Sequence, residues 1–297
     1  MRILILGKNG QVGWELQRSL APLGGVIALG RAEADLESPS SLKAAIDRAS
    51  PEIIVNASAY TAVDKAESEP ERADRINHLA VGEIGELAAA RDAWVIHYST
   101  DYVFDGTKTS PYLETDPTCP ISVYGRTKRD GEVALGRSGV RHLIFRTSWV
   151  HAGRGSNFVR TMLRLAAERD SLRVVVDQTG VPTSAEFIAD VTAHAVARVR
   201  HGEPVASGIY NLTSSGETSW HGLARFSIAE ALSMGARLKV TSDAIAAIKT
   251  SEYPTPAARP LNSRLDNSKL LSAFGLEAPD WRYHARRSVI ESLQVAS

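Results

Sequence analysis

Short apolar runs alternate with longer stretches of helical periodicity through the first half of the chain. Ile3 to Leu6 leads into a predicted helix from Val12 to Leu23, Val26 to Leu29 into one from Ser40 to Ala49, and Ile53 to Asn56 into one around Glu71 to Arg91. Val95 to Tyr98 and Leu143 to Arg146 flank a predicted helix from Ser122 to Leu135. Continuous apolar runs belong to strands covered on both faces, and helices between them supply the right-handed crossovers that join parallel strands. The expected fold class is α/β, a Rossmann-type doubly wound parallel sheet.

Past residue 150 the rhythm loosens. A helix from Phe158 to Arg169, a strand from Arg173 to Val176, a helix from Ala185 to Arg200 and a strand from Gly208 to Leu212 are predicted. Helices from Trp220 to Ser233 and Trp281 to Leu293 then flank a stretch broken by Pro254, Pro256 and Pro260. Residues 1–150 read as one domain and 151–297 as mainly a smaller C-terminal α/β domain, with 170–200 expected to return to the first.

The chain has 297 residues with 34 basic and 34 acidic side chains, so its composition points to neither a nucleic-acid nor an anionic-membrane partner. A single cysteine, Cys119, admits no internal disulfide and suits a reducing compartment. The run from Met1 to Leu6 is shorter than a signal-peptide core, and a cytoplasmic location is expected.

Gly7, Gly10 and Gly13 follow the first strand and open the first helix. Lacking Cβ atoms, they let the backbone turn tightly and approach a pyrophosphate that meets the free amides of the helix. The spacing is GxxGxxG rather than GxGxxG, but its place in a βαβ unit is that of a dinucleotide site. Gly30 and Arg31 stand where an acidic residue would hold a ribose 2′-hydroxyl; an arginine there welcomes a 2′-phosphate, so NADPH is expected, with NADH also accepted.

Tyr124 and Lys128 lie four apart in a predicted helix and share one face. A tyrosine has a pKa of about 10, and a nearby ammonium lowers it, making Tyr124 a proton donor to an alkoxide formed by hydride transfer. Ser99, Thr100 and Asp101 end the fourth apolar run, at the carboxyl edge where open α/β sheets bind ligands. Thr100 there reads as a hydrogen-bond donor to a substrate carbonyl, and the same three residues also read as a helix cap or turn. Trp149, following a strand, reads either as an indole facing a pocket or as a packing residue.

These residues resemble the extended short-chain dehydrogenase/reductase family. The segments GKNGQVGWELQRSLA, NASAYTAVDKAE, STDYVFDG, ETDPTCPISVYGRTK, RTSWVHA, NFVRTM, DQTGVPTSAEFIAD and RPLNSRLDNSKL resemble its dTDP-4-dehydrorhamnose reductase branch over nearly the whole chain. That resemblance implies NADPH-dependent reduction of the C4 keto group of dTDP-4-dehydro-β-L-rhamnose, with Thr100, Tyr124 and Lys128 as catalytic triad and Lys128 also on the nicotinamide ribose. It implies pyrophosphate contacts from Gly10, Gln11 and Val12, adenine contacts from Asp35 and Leu36, and contacts to the middle of the cofactor from Ala59, Tyr60 and Thr61. Tyr98 would line the nicotinamide side, and Thr100, Asp101, Tyr124, Lys128 and Trp149 the sugar. Some members dimerise through Mg2+, and the matching carboxylates here are Glu15, Glu186 and Asp190. The alternatives are a reductase or epimerase on another nucleotide sugar, or a non-catalytic regulatory subunit resembling that of methionine adenosyltransferase.

Overall fold

The computed structural model describes residues 1–294. Six strands, β1 (Arg2–Leu6), β2 (Gly25–Leu29), β3 (Ile53–Asn56), β4 (Trp94–Thr100), β5 (His142–Thr147) and β6 (Gly208–Asn211), form one sheet in the order β6-β5-β4-β3-β1-β2. Every pairing in it is parallel. The chain leaves β1 for β2 on one side and comes back past β1 to β3 on the other, which puts a topological switch point at the carboxyl ends of β1 and β3.

The longer helices are α1 (Gln11–Leu20), α2 (Pro39–Ala49), α3 (Ala80–Ala89), α4 (Val123–Arg137), α5 (Phe158–Glu168), α6 (Ala185–Arg200), α7 (Trp220–Ser233) and α8 (Trp281–Gln294). Alternate residues of β1 explain why its apolar run is unbroken. Ile3 and Ile5 pack with Leu16 and Leu20 of α1 and Ile188 and Val191 of α6. Leu4 and Leu6 pack on the opposite face with Leu42 and Ile46 of α2, Ile84 of α3 and Leu135 of α4. A strand buried on both faces has no room for a polar alternation.

The segment expected to return to the main sheet does so only in part. Helix α6 covers the sheet, but Leu172–Val175 pairs in parallel with Ile245–Ile248 instead. Its Arg173 points to solvent while Leu172 and Val174 are buried against α5 and α7. In the main sheet β6 takes the edge position beside β5. Around the carboxyl ends of the strands, α5, α7 and α8 build a separate core through Val159, Leu163, Leu223, Trp281 and Val289.

The helix expected over Glu71 to Arg91 is interrupted: Pro70–Asp74 passes through a π-helical turn, Arg75–Leu79, before α3. The wider turn turns Asn77 inward, where its Oδ1 accepts the Tyr60 N–H at 2.8 Å and its amide donates to the Tyr60 carbonyl at 3.1 Å and to the Thr127 hydroxyl at 3.2 Å. π turns recur at functional sites, and this one fastens the loop after β3 to α4. Among the described residues no helix is long and apolar enough to cross a membrane.

Candidate active site

A groove runs along the carboxyl edge of the sheet. One part, of about 460 Å³, is lined by Gly7, Gly10, Arg31, Asp35, Leu36 and Tyr60. The other, of about 650 Å³, is lined by Gln11, Val12, Tyr98, Thr100, Asp101, Tyr124, Lys128 and Trp149. Gly10, Ala59 and Thr61 line both.

The glycines at the junction do different things. Gly7 has a φ of +91°, and a Cβ there would lie 2.8 Å from the Ala57 carbonyl. A Cβ on Gly13 would stand 2.0 Å from the Gly7 oxygen, so Gly13 lets α1 approach the loop rather than touching the groove. Gly10 precedes α1 with no side-chain cap. By contrast α2, α4, α5, α6 and α7 are each capped by their own serine or asparagine. The leading amides of α1 are left for a ligand, and the positive end of the helix dipole favours an anionic one. This cradle suits a dinucleotide pyrophosphate.

At the smaller end, Arg31 pairs with Glu37 and lies 3.6 Å from Asp35. Glu37 is shared with Arg72 at 3.0 Å, and Lys8 bonds Glu33 at 2.6 Å. Lys8, Lys65 and Arg72 were not singled out from the sequence. Charged residues scattered over the turn after β1 and the short helices Val63–Ala66 and Pro70–Asp74 carry no spacing signal.

At the larger end, Thr100 terminates β4 and caps the following turn, accepting the Tyr102 N–H at 3.2 Å and donating to Asp101 at 3.2 Å. The segment is thus a cap, and Ser99, Thr100 and Asp101 line the groove. Burial pushes the Tyr124 hydroxyl up to about 12, partly offset by a hydrogen bond with Thr100, while the charge of Asp101 adds to the rise. Burial also raises the Asp101 carboxyl to about 7, opposed by Ser263 and Thr100. Lys128 is only 2% exposed, and desolvation brings its ammonium down to about 8 against the pull of Glu132. Its Nζ donates to the Tyr98 carbonyl at 2.6 Å. The Tyr98 hydroxyl turns away from the groove to Thr192, at 2.8 Å, so Tyr98 holds Lys128 through its backbone.

Trp149 adopts a left-handed backbone, φ 48°, that bulky residues rarely take. Its indole stacks on Trp220 with ring centroids 3.6 Å apart and 12° between planes. Trp220, which also lines the groove, is fixed by an N–H bond to Gln178 at 3.0 Å. Packing and pocket wall are thus one role for Trp149. Beneath α4, Glu132 and Arg146 form a buried ion pair through bonds of 2.9 and 2.6 Å.

Glu15, Glu186 and Asp190 lie away from the groove and do not come together as ligands. Arg18 bonds Asp190 at 2.9 Å and Glu15 at 3.3 Å, and Arg287 grips Glu186 through two bonds of 2.9 Å. Among the described residues no group of three or more histidine, cysteine, aspartate or glutamate side chains is arranged to hold a metal ion. Within one chain, guanidinium groups rather than a shared metal ion are the partners of the carboxylates expected to hold Mg2+ between two copies.

Over residues 1–294 the chain matches the family described as the RmlD substrate binding domain. It is 52% identical over 286 residues to a dTDP-4-dehydrorhamnose reductase of Burkholderia thailandensis, covering 95% of this chain and 96% of that one. To the dTDP-4-dehydrorhamnose reductase of Escherichia coli strain K12 it is 50% identical over 295 residues, 98% of each chain. A crystal structure of a dTDP-4-dehydrorhamnose reductase from Bacillus anthracis in complex with NADP superposes with a TM-score of 0.87 at 32% identity, covering 98% of this chain and 99% of that one.

Proposed function

Because the chain belongs to the dTDP-4-dehydrorhamnose reductase family, we propose that it reduces the C4 keto group of dTDP-4-dehydro-β-L-rhamnose to give dTDP-β-L-rhamnose. NADPH is the preferred cofactor and NADH is also accepted. The observation that carries the reading is that the buried Thr100 and Lys128 and the half-buried Tyr124 line the same groove as the uncapped start of α1.

When bound, the nicotinamide cofactor supplies the hydride. Gly10, Gln11 and Val12 hold its pyrophosphate, Asp35 and Leu36 its adenine, and Arg31 its 2′-phosphate after release from Glu37. Ala59, Tyr60 and Thr61 support its middle, and residues 1–150 with α6 and β6 form the body that carries it. Thr100, once its hydroxyl proton turns from Asp101, donates a hydrogen bond to the keto oxygen and fixes it beside Tyr124. Tyr124 gives that oxygen its proton. A phenol held at about 12 is a weak acid at neutral pH, so the arriving negative charge and a charged Lys128 are what draw the proton across. Asp101 and Trp149 complete the sugar wall.

The test mixes purified protein, NADPH and dTDP-4-dehydro-L-rhamnose generated in situ from dTDP-glucose. Oxidation of NADPH with formation of dTDP-rhamnose is expected. Absence of oxidation with either nicotinamide cofactor would overturn the assignment and point to another nucleotide sugar.

A further inference from the structure

Resting on that reductase reading, we propose that His97, oriented by Asn56, is a positioning residue for Lys128 whose Nε2–H faces the lysine nitrogen and sets its proton occupancy. Neither residue reaches the reacting atoms. Both sit one layer behind them, in the floor of the sheet.

Asn56 on β3 and His97 on β4 are register partners in adjacent strands, and each is 1% exposed. The Asn56 Oδ1 accepts the Ser58 N–H at 3.1 Å, which leaves its NH2 group 3.2 Å from His97 Nδ1. An amide NH2 only donates, so Nδ1 must accept. His97 is neutral here, because burial and then the charge of Lys128 push its pKa well below the ordinary value, outweighing a hydrogen bond with the Asn56 backbone that raises it. A neutral imidazole that accepts at Nδ1 carries its proton on Nε2. That Nε2–H stands 3.1 Å from Lys128 Nζ.

A neutral amine offers a lone pair to this N–H, whereas an ammonium offers only another donor. The bond from Nζ to the Tyr98 carbonyl, at 2.6 Å, is available to both forms and is stronger from the ammonium, so it opposes the effect of His97. His97 is therefore a contact that, together with burial, favours the amine over the ammonium. The other ionisable groups near Lys128 are Glu132 and Tyr124 on its own helix, Tyr98 and Asp101 from β4 and the turn after it, and Arg146 on β5. Glu132 favours the ammonium, but its two oxygens are taken by Arg146. With Glu132 so occupied, the opposing dipole of His97 biases Lys128 toward the amine until cofactor and substrate bring negative charge into the groove.

The pH profile of kcat/KM for NADPH reports the ionisations of the free enzyme. In the wild type it falls as pH rises through about 8, where Lys128 loses its proton. His97→Leu removes the opposing N–H and His97→Gln can present a carbonyl oxygen instead. Both are expected to move the alkaline limb upward by roughly one unit, equivalent to about a tenfold gain relative to wild type on that limb. A limb that stays in place, or moves down, overturns the proposal. A readout independent of turnover is the 15N spectrum of histidine-labelled wild-type protein, with His97 assigned by its absence from His97→Gln. An Nε2–H tautomer is expected, and an Nδ1–H tautomer overturns the proposal whatever the pH profile shows. Wild-type protein without turnover would count against the reductase reading, while the tautomer would still decide the role of His97.

Discussion

Replacing Asp101 by asparagine tests the electrostatics of the site through stability. The Asp101 side chain is 2% exposed, and burial raises its carboxyl from 3.8 to about 7. A folded-state value above the unfolded one means that the fold holds the proton more tightly than the open chain does. The associated stability is complete below pH 3.8 and is lost as pH rises through the window up to about 7. At about 1.4 kcal/mol per pKa unit, the burial of Asp101 costs about 4 kcal/mol at pH 8, where the folded carboxyl is ionised, and about 2 kcal/mol at pH 5, where it must take up a proton on folding. Asparagine keeps the shape of the protonated acid and cannot ionise. Its hydrogen-bonding differences from the acid shift both pH values equally, so the diagnostic quantity is the difference: Asp101→Asn should gain about 2 kcal/mol more at pH 8 than at pH 5. Urea unfolding followed by circular dichroism at the two pH values measures it. An equal effect at both would show that Asp101 is ionised throughout and that its burial carries no proton.

Three further outcomes follow from other parts of the structure. Glu132→Gln leaves Arg146 buried without its counter-charge and is expected to lower unfolding stability by about 3–5 kcal/mol, measured by urea titration. Arg31→Ala should reduce kcat/KM for NADPH by roughly tenfold and leave the value for NADH nearly unchanged, since only the 2′-phosphate loses a charge-assisted partner; equal losses with both cofactors would remove Arg31 from that role. Because Arg18 and Arg287 already occupy Glu15, Glu186 and Asp190, sedimentation velocity should give the same species with Mg2+ and with EDTA.

The alternating strands and helices were legible because burial on both faces leaves a continuous apolar signature, as in Ile3–Leu6 and Ile53–Asn56. The glycine loop was legible because backbone geometry demands those residues, and the Tyr124–Lys128 pair because helical spacing alone places both on one face. Other features arise only from tertiary contact. The π turn that presents Asn77 has no periodic signature, and the two-residue strands Val150–His151 and Thr183–Ser184 are too short for any pattern. Nothing in the composition brings Trp220 onto Trp149 or places Asn56, His97 and Lys128 in one line. The carboxylates Glu186 and Asp190 do share a helix, but helical spacing could not reveal that arginines from α1 and α8 would reach them first.

The central claim is that this chain delivers hydride to C4 of the sugar while Tyr124 supplies the proton. The most direct measurement uses NADPH deuterated at C4 of the nicotinamide and follows the product by mass spectrometry and NMR, with Tyr124→Phe in parallel. The expected result is one deuterium at C4 of the rhamnose product from the wild type, and a rate lowered by about a hundredfold or more in Tyr124→Phe with NADPH affinity unchanged. Deuterium absent from C4, or a Tyr124→Phe enzyme that turns over at the wild-type rate, would contradict the account.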